Sequence, residues 1–253
     1  MRLDSTHPFL TPFIRRTLAL IKPMDAVGIP LVHKGHKGDG GYVMLDELSN
    51  ITAAYSLGIG GDVSWDLEMA EHGIDVWQYD HTVVAPPQMH PRFHFSRYGI
   101  AAAPSEDEIF HTLESLIARN GHAGQRDMIL KIDIEGAEWN VFSGLRAETL
   151  EQFSQILVEF HELRQLNDNE IIWRILHTLS HLSATHQSIH LHANNNGCMA
   201  TIGGITIPDV VEVTYARRSD HAFAPCFRIF PTGLDYPNDP QKADIFLGAP
   251  GIL

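Results

Sequence analysis

Cysteine is scarce in this chain. Its 253 residues include only Cys198 and Cys226, and neither sits in a C-x-x-C pair. That excludes a zinc ribbon or a thioredoxin-type dithiol, and free thiols in a reducing compartment are the simplest state for both. Basic residues are also few: 18 Lys and Arg stand against 31 Asp and Glu, a formal net charge of −13. Nucleic acid and anionic membrane are gripped through Lys and Arg, so neither is expected as a main partner. No apolar run reaches the ~20 residues that span a bilayer. The N-terminus lacks the basic-then-apolar layout of a secretory leader, so the expectation is a cytoplasmic protein. A P-loop is excluded because no G-K-[ST] follows a glycine run, and no G-x-S-x-G elbow offers a hydrolase serine.

What remains is a globular composition, 44% hydrophobic and 19% charged, in a chain long enough to bury a full core. Its most telling stretch is Tyr55 to Asp80, YSLGIGGDVSWDLEMAEHGIDVWQYD. It reads as strand, glycine turn, helix, strand and acid, the order in which an open α/β sheet forms a nucleotide-shaped crevice. Gly58, Gly60 and Gly61 remove side chains where the backbone turns and approaches a ligand. Asp62 or Ser64 is placed to cap the helix and Gly73 to end it. Asp80 closes the second strand, where a carboxylate accepts from a ribose diol. The run G-I-G-G-D-V lacks the third glycine of the dinucleotide fingerprint, which disfavours a dehydrogenase.

The rest of the chain reads as one domain, 1–253, with additions at each end. Residues 1–30 form a helical preface and the Pro, Gly and Asp-rich stretch 231–253 a loop-rich tail, either ordered loop or a docking segment. RFHFSRYGI is a third core strand. Ser105 to Glu108, SEDE, matches a capping box that opens a helix to about Asn120. Further strands fall at 128–136, 155–163, QSIHLHANN and VVEVTYAR, with a helix capped by Asp168 between the second and third of these. No internal repeat or low-complexity linker interrupts them.

Three strand ends carry polar groups. In KIDIEG, Lys131, Asp133 and Glu135 share one face of a strand that would otherwise be apolar throughout. Glu159 and His161 share a face at the end of the next strand, and His190 and His192 at the end of a later one. The plain readings are a Lys131–Asp133 ion pair and ordinary hydrogen-bonded histidines. A divalent metal accounts for all three together: carboxylate and imidazole suit manganese, iron or zinc, and oxygens alone suit magnesium.

SLGIGGDVSWD, the acid in YDHT, and above all LKIDIEGAEWNVF resemble the FkbM-type S-adenosylmethionine-dependent methyltransferases, over roughly residues 35–215. The resemblance implies a class I methyltransferase fold, a Rossmann-like, seven-stranded, mostly parallel sheet with helices on both faces. It implies S-adenosylmethionine under Gly58, Gly60 and Gly61, with Asp80 on the ribose, His81 nearby, Tyr98, Gly99 and Ile100 beside the adenine, and Asp133 at the methyl-transfer point. By analogy with metal-assisted members, a divalent ion falls to Asp133 with Glu159 or His161, and less directly to His192, because the last strand of such a sheet lies between strands five and six. The acid that usually opens the glycine motif is Ser56 here, and Asp39 in GDGGY is a candidate replacement on the cofactor's amino group. His161 or Lys131 is the candidate base, and the acceptor a small hydroxylated metabolite. Two other readings stand beside this one: a non-catalytic S-adenosylmethionine sensor, and a histidine-based metal hydrolase or oxygenase.

Overall fold

The computed structural model describes residue 4 and residues 6–249. In chain order the elements are α1 (Leu10–Leu20), β1 (Met24–Ala26), β2 (Leu31–Lys34), β3 (Tyr42–Leu45), β4 (Ala53–Leu57), α2 (Ser64–Glu71), β5 (Asp75–Tyr79), β6 (Phe93–Ser96), β7 (Gly99–Ile100), β8 (Phe110–His111), α3 (Leu113–Arg119) and β9 (Met128–Ile132). They continue with α4 (Glu138–Gly144), α5 (Ala147–Leu150), β10 (Phe153–Phe160), a 3-10 turn at Leu163–Gln165, α6 (Asn169–Thr185), β11 (His186–Ala193), β12 (Met199–Ile202), β13 (Ile205–Pro208), β14 (Val211–Arg217) and β15 (Phe223–Pro225).

Seven of these strands make the central sheet, in the order β11-β14-β10-β9-β4-β5-β6. β6, β5, β4, β9 and β10 run parallel, and β14 is antiparallel to both neighbours. The last core strand is thus reversed and inserted between the fifth and sixth, which is the class I methyltransferase sheet. β4 and β9 are buried at every position, as the middle of a doubly covered sheet requires.

Alternation along the strands builds two cores. Tyr55, Leu57, Leu130, Ile132, Val158 and Phe160 pack on one face beneath α1 and α3 to α6. Ala54, Val76, Ile129 and Leu157 pack on the other against Trp65 and Met69 of α2 and Tyr42 and Met44 of β3. Trp139 stacks on Phe160 at 4.2 Å between ring centroids, fixing the start of α4 against the end of β10. Among the described residues, no helix is long and apolar enough to cross a membrane.

Several local expectations are revised. RFHFSRYGI is not one strand: β6 joins the sheet, whereas β7 pairs with β8 in a separate two-stranded ladder. The helix expected from Ser105 starts at Leu113, and Thr112 caps it by accepting from Ser115 N at 3.1 Å. Ser105 instead bonds Asp107 and the Phe110 N–H, closing a turn in which Glu108 has φ 56°. Among the described residues of the N-terminal preface, only α1 is helical. β1 follows and pairs with β15. The tail from 231 runs as loop, tied to β11 by His190–Asp235 at 2.6 Å and His192–Asp244 at 3.1 Å. Residues 1–3, 5 and 250–253 of these two additions lie outside the described residues.

Candidate active site

β4 ends against the backbone that leaves β9. Asp133 N–H donates to Leu57 O at 2.9 Å, and a Cβ on Gly58 would lie 1.7 Å from the Asp133 carbonyl oxygen. Gly58 also has φ +76°, so only glycine satisfies both constraints. The loop then presents the N–H groups of Ile59 and Gly60 to Asp80 Oδ2 at 3.0 and 2.9 Å. Asp80 Oδ1 accepts from Thr82 N and Oγ1 at 2.8 and 2.6 Å. Burial opposes the Asp80 carboxylate, but the Thr82 hydroxyl and the loop N–H groups outweigh it and hold its pKa below the usual range. Asp80 therefore also pins the glycine loop, a role the sequence reading did not assign to it.

Above this loop lies a hollow of about 460 Å³. Asp39, Gly58, Gly60, Gly61, Asp80, His81, Gly99, Ile100, Lys131 and Asp133 all line it. Sequence reasoning missed Tyr42 and Phe110 on the same wall. The Phe110 ring lies 4.7 Å from His81, and a Cβ on Gly99 would meet it at 2.5 Å. Glycine at 99 thus lets an aromatic side chain from β8 reach the hollow.

The acidic cluster forms one strand further along. After Asp133 the chain turns through Glu135 (φ 57°) and Gly136 (φ 101°). The fully buried Glu138 accepts from Ile134 N at 2.8 Å and Gly136 N at 3.0 Å, which fixes that turn. Glu138 also faces His161 Nδ1 at 3.2 Å, while Trp139 Nε1 donates to His161 O at 2.8 Å. His161 Nε2 then lies 3.5 Å from Glu135 and 3.9 Å from Asp133. One ligand atom from each of Asp133, Glu135 and His161 falls within 4.8 Å of the others. Burial works against the His161 imidazolium, but the Glu138 hydrogen bond and the surrounding carboxylates push its pKa up to about 9.

The wider set of histidines and acids does not converge in this way. Glu159 is turned to the Asn194 amide at 2.5 Å and to the Asp133 carboxyl. Burial and the charges of Asp133 and Glu212 push Glu159 well above the usual carboxylate range, and burial also raises Asp133. His192 lies on β11 beyond β14, bonded through Nδ1 to Glu212 at 3.0 Å and through Nε2 to Asp244. It stands apart from Asp133, Glu135 and His161, and Glu135 takes the place expected of it. The expected Lys131–Asp133 ion pair is also not formed: Lys131 Nζ donates to Gly58 O at 3.1 Å.

A second hollow, about 540 Å³, opens on the far side of this cluster. It shares Asp39, Asp133 and Glu135 with the first and adds Glu159, His161, Arg164 and Asn194. Two compartments thus meet at the end of β9, over a sheet of class I methyltransferase order. Residues 45–186, more than half of the chain, match the family described as the methyltransferase FkbM domain.

The chain belongs to the FkbM methyltransferase family.

A human relative, described as a probable methyltransferase-like protein 24, is 30% identical over 118 residues. That match covers 42% of this chain and 32% of the human protein, so the FkbM-type chain spans about a third of that relative's length. A crystal structure of a SAM-dependent methyltransferase from Agrobacterium tumefaciens superposes with a TM-score of 0.35 at 9% identity. It covers 83% of this chain and 62% of its own. The FkbM domain match begins at the last residue of β3 and ends at the first of β11, so it contains the glycine loop and the Asp133–His161 cluster.

Proposed function

We propose that this chain transfers the methyl group of S-adenosylmethionine to a hydroxyl of a small-molecule acceptor. The observation that carries the proposal is the pair of hollows sharing Asp39, Asp133 and Glu135. The first has the features a nucleoside sulfonium needs: a glycine loop, the Asp80 carboxylate for a ribose, and Tyr98, Ile100 and Phe110 for a purine. The second is lined by polar groups and receives the acceptor.

The reaction is an in-line displacement. An acceptor oxygen attacks the methyl carbon, the carbon–sulfur bond breaks, and the electron pair stays on the thioether of the product. Holding both reactants across one seam contributes about 7–11 kcal/mol in favourable cases. Asp133, at the seam, takes the hydroxyl proton, and its raised pKa suits that task. His161 is protonated near neutrality and so stabilises the developing negative charge rather than acting as base.

In a second, metal-assisted mode, exclusive of the first, Asp133, Glu135 and a deprotonated His161 would instead hold a divalent cation. Two carboxylates and one imidazole converge, and Glu138 supports the other ring nitrogen as metal-bound histidines require. A bound ion would act there as a Lewis acid that lowers the pKa of the acceptor hydroxyl. Calorimetry with S-adenosylmethionine tests the core of this reading. The parent chain binds it, and Asp80→Ala weakens binding at least tenfold. No binding by the parent chain refutes the proposal.

A further inference from the structure

Lys131 is an unusual residue to find in the middle of this sheet. It is 4% exposed, on the central strand β9, directly across from Ser56 of β4. An ammonium has three donors, yet the hydrogen bond found for this one is to Gly58 O at 3.1 Å. Its other neighbour is the Tyr42 ring, 5.7 Å from Nζ to the centroid. Among the described residues, no carboxylate oxygen lies within 4.0 Å of it. The nearby, fully buried Asp66 accepts from Gln78 Nε2 through Oδ1 at 2.8 Å and feels the Lys131 charge without a hydrogen bond to it. The charges of Asp66 and Asp133 reach Lys131, but neither carboxylate hydrogen-bonds it, so donors of this buried cation remain open to a ligand.

The two hollows indicate which ligand takes them. Lys131 lines the cofactor hollow and is not part of the acceptor wall. Its ammonium lies at the glycine loop, on Gly58 O. An acid beneath this loop would repel a carboxylate; here Ser56 is neutral and Lys131 beside it is basic. Asp39, held by Asn238 Nδ2 at 3.3 Å, supplies a negative group on the same lining. Opposite charges within one hollow match the carboxylate and ammonium of an amino acid.

We propose that Lys131 anchors the carboxylate of the cofactor's methionine moiety, with Asp39 facing its ammonium; this rests on the methyltransferase reading above. Lys131 is thereby a cofactor-binding residue and not the base.

The test is a cycle of four titrations. S-adenosylmethionine and its decarboxylated analogue, which lacks only the carboxylate, are each titrated into the parent chain and into Lys131→Met. The parent is expected to prefer the intact cofactor by about 10- to 100-fold, the range of a charge-assisted hydrogen bond. Lys131→Met is expected to lose that preference while binding the decarboxylated analogue about as well as the parent does. A parent that does not discriminate between the two ligands overturns the assignment without using any variant. Equal losses for both ligands in Lys131→Met overturn it as well, as does unchanged affinity with a loss confined to turnover, which would mark a base. Failure of the parent to bind either ligand removes the methyltransferase reading, and the assignment with it.

Discussion

Gly58 is the residue on which the site geometry depends most. A Cβ there would collide with the Asp133 carbonyl oxygen at 1.7 Å, and the backbone is already at φ +76°. Gly58→Ala is expected to cost at least about 3 kcal/mol, since steric overlap adds to a strained conformation. Urea unfolding measures this directly. Gly61 of the same loop has nothing within 4 Å of an added Cβ and no positive φ, so Gly61→Ala should leave stability within about 0.5 kcal/mol of the parent. Equal costs at the two glycines would contradict the packing described. The sequence marked all three loop glycines alike, because a Gly-rich run does not say which backbone lies opposite. His161 is a similar case. Its place at a strand end was legible, whereas its partner Glu138 lies in a helix and carried no signal of its own.

At the scale of elements, strand positions were read well and the segment after the third core strand was not. β4, β5, α6 and β11 fall where apolar runs and caps placed them, and Asp168 caps α6 by accepting from Glu170 N. α2 also falls in place, but its N-cap is Val63. β9 and β10 stop at Ile132 and Phe160, so Asp133, Glu135 and His161 lie in the turns that leave the strands and not on a strand face. The misreading after the third core strand arose from SEDE. Ser105 and Asp107 satisfy backbone and side-chain donors locally, in a turn that competes with a helix start. The real cap is Thr112, so Thr112→Ala is expected to destabilise the fold by about 1 kcal/mol. Thermal unfolding of that variant beside Ser105→Ala checks this. A larger loss for Ser105→Ala would restore the sequence reading. The consequence for function is β8: as a strand rather than a helical turn, it delivers Phe110 to the cofactor hollow.

Across the whole molecule, a buried histidine couples the fold to pH. His186 opens β11 with Nε2 2.9 Å from Phe153 O and Nδ1 2.8 Å from Thr185 Oγ1. The carbonyl can only accept, so Nε2 carries the proton and Nδ1 takes the threonine hydroxyl. Burial holds the pKa of this ring down to about 4, against 6.5 for a free one. Between these values the unfolded chain binds a proton that the folded chain refuses, so stability falls as pH drops from 6.5 towards 4. The full loss is about 3 kcal/mol. The stability gap between the parent and His186→Gln should shrink over that window in urea titrations, and a constant gap would contradict the neutral buried ring.

The same global view brings Asp80 and Asp133, 53 positions apart in the chain, to one hollow. Sheet order alone achieves this, because β5 and β9 flank β4 and all three end at the same rim. A crystal structure of the protein with S-adenosylhomocysteine tests that arrangement most directly. The account expects the adenosine between Asp80 and Phe110, the methionine carboxylate on Lys131, and the sulfur facing Asp133. Density for the nucleoside anywhere other than above the Gly58–Gly61 loop would contradict it.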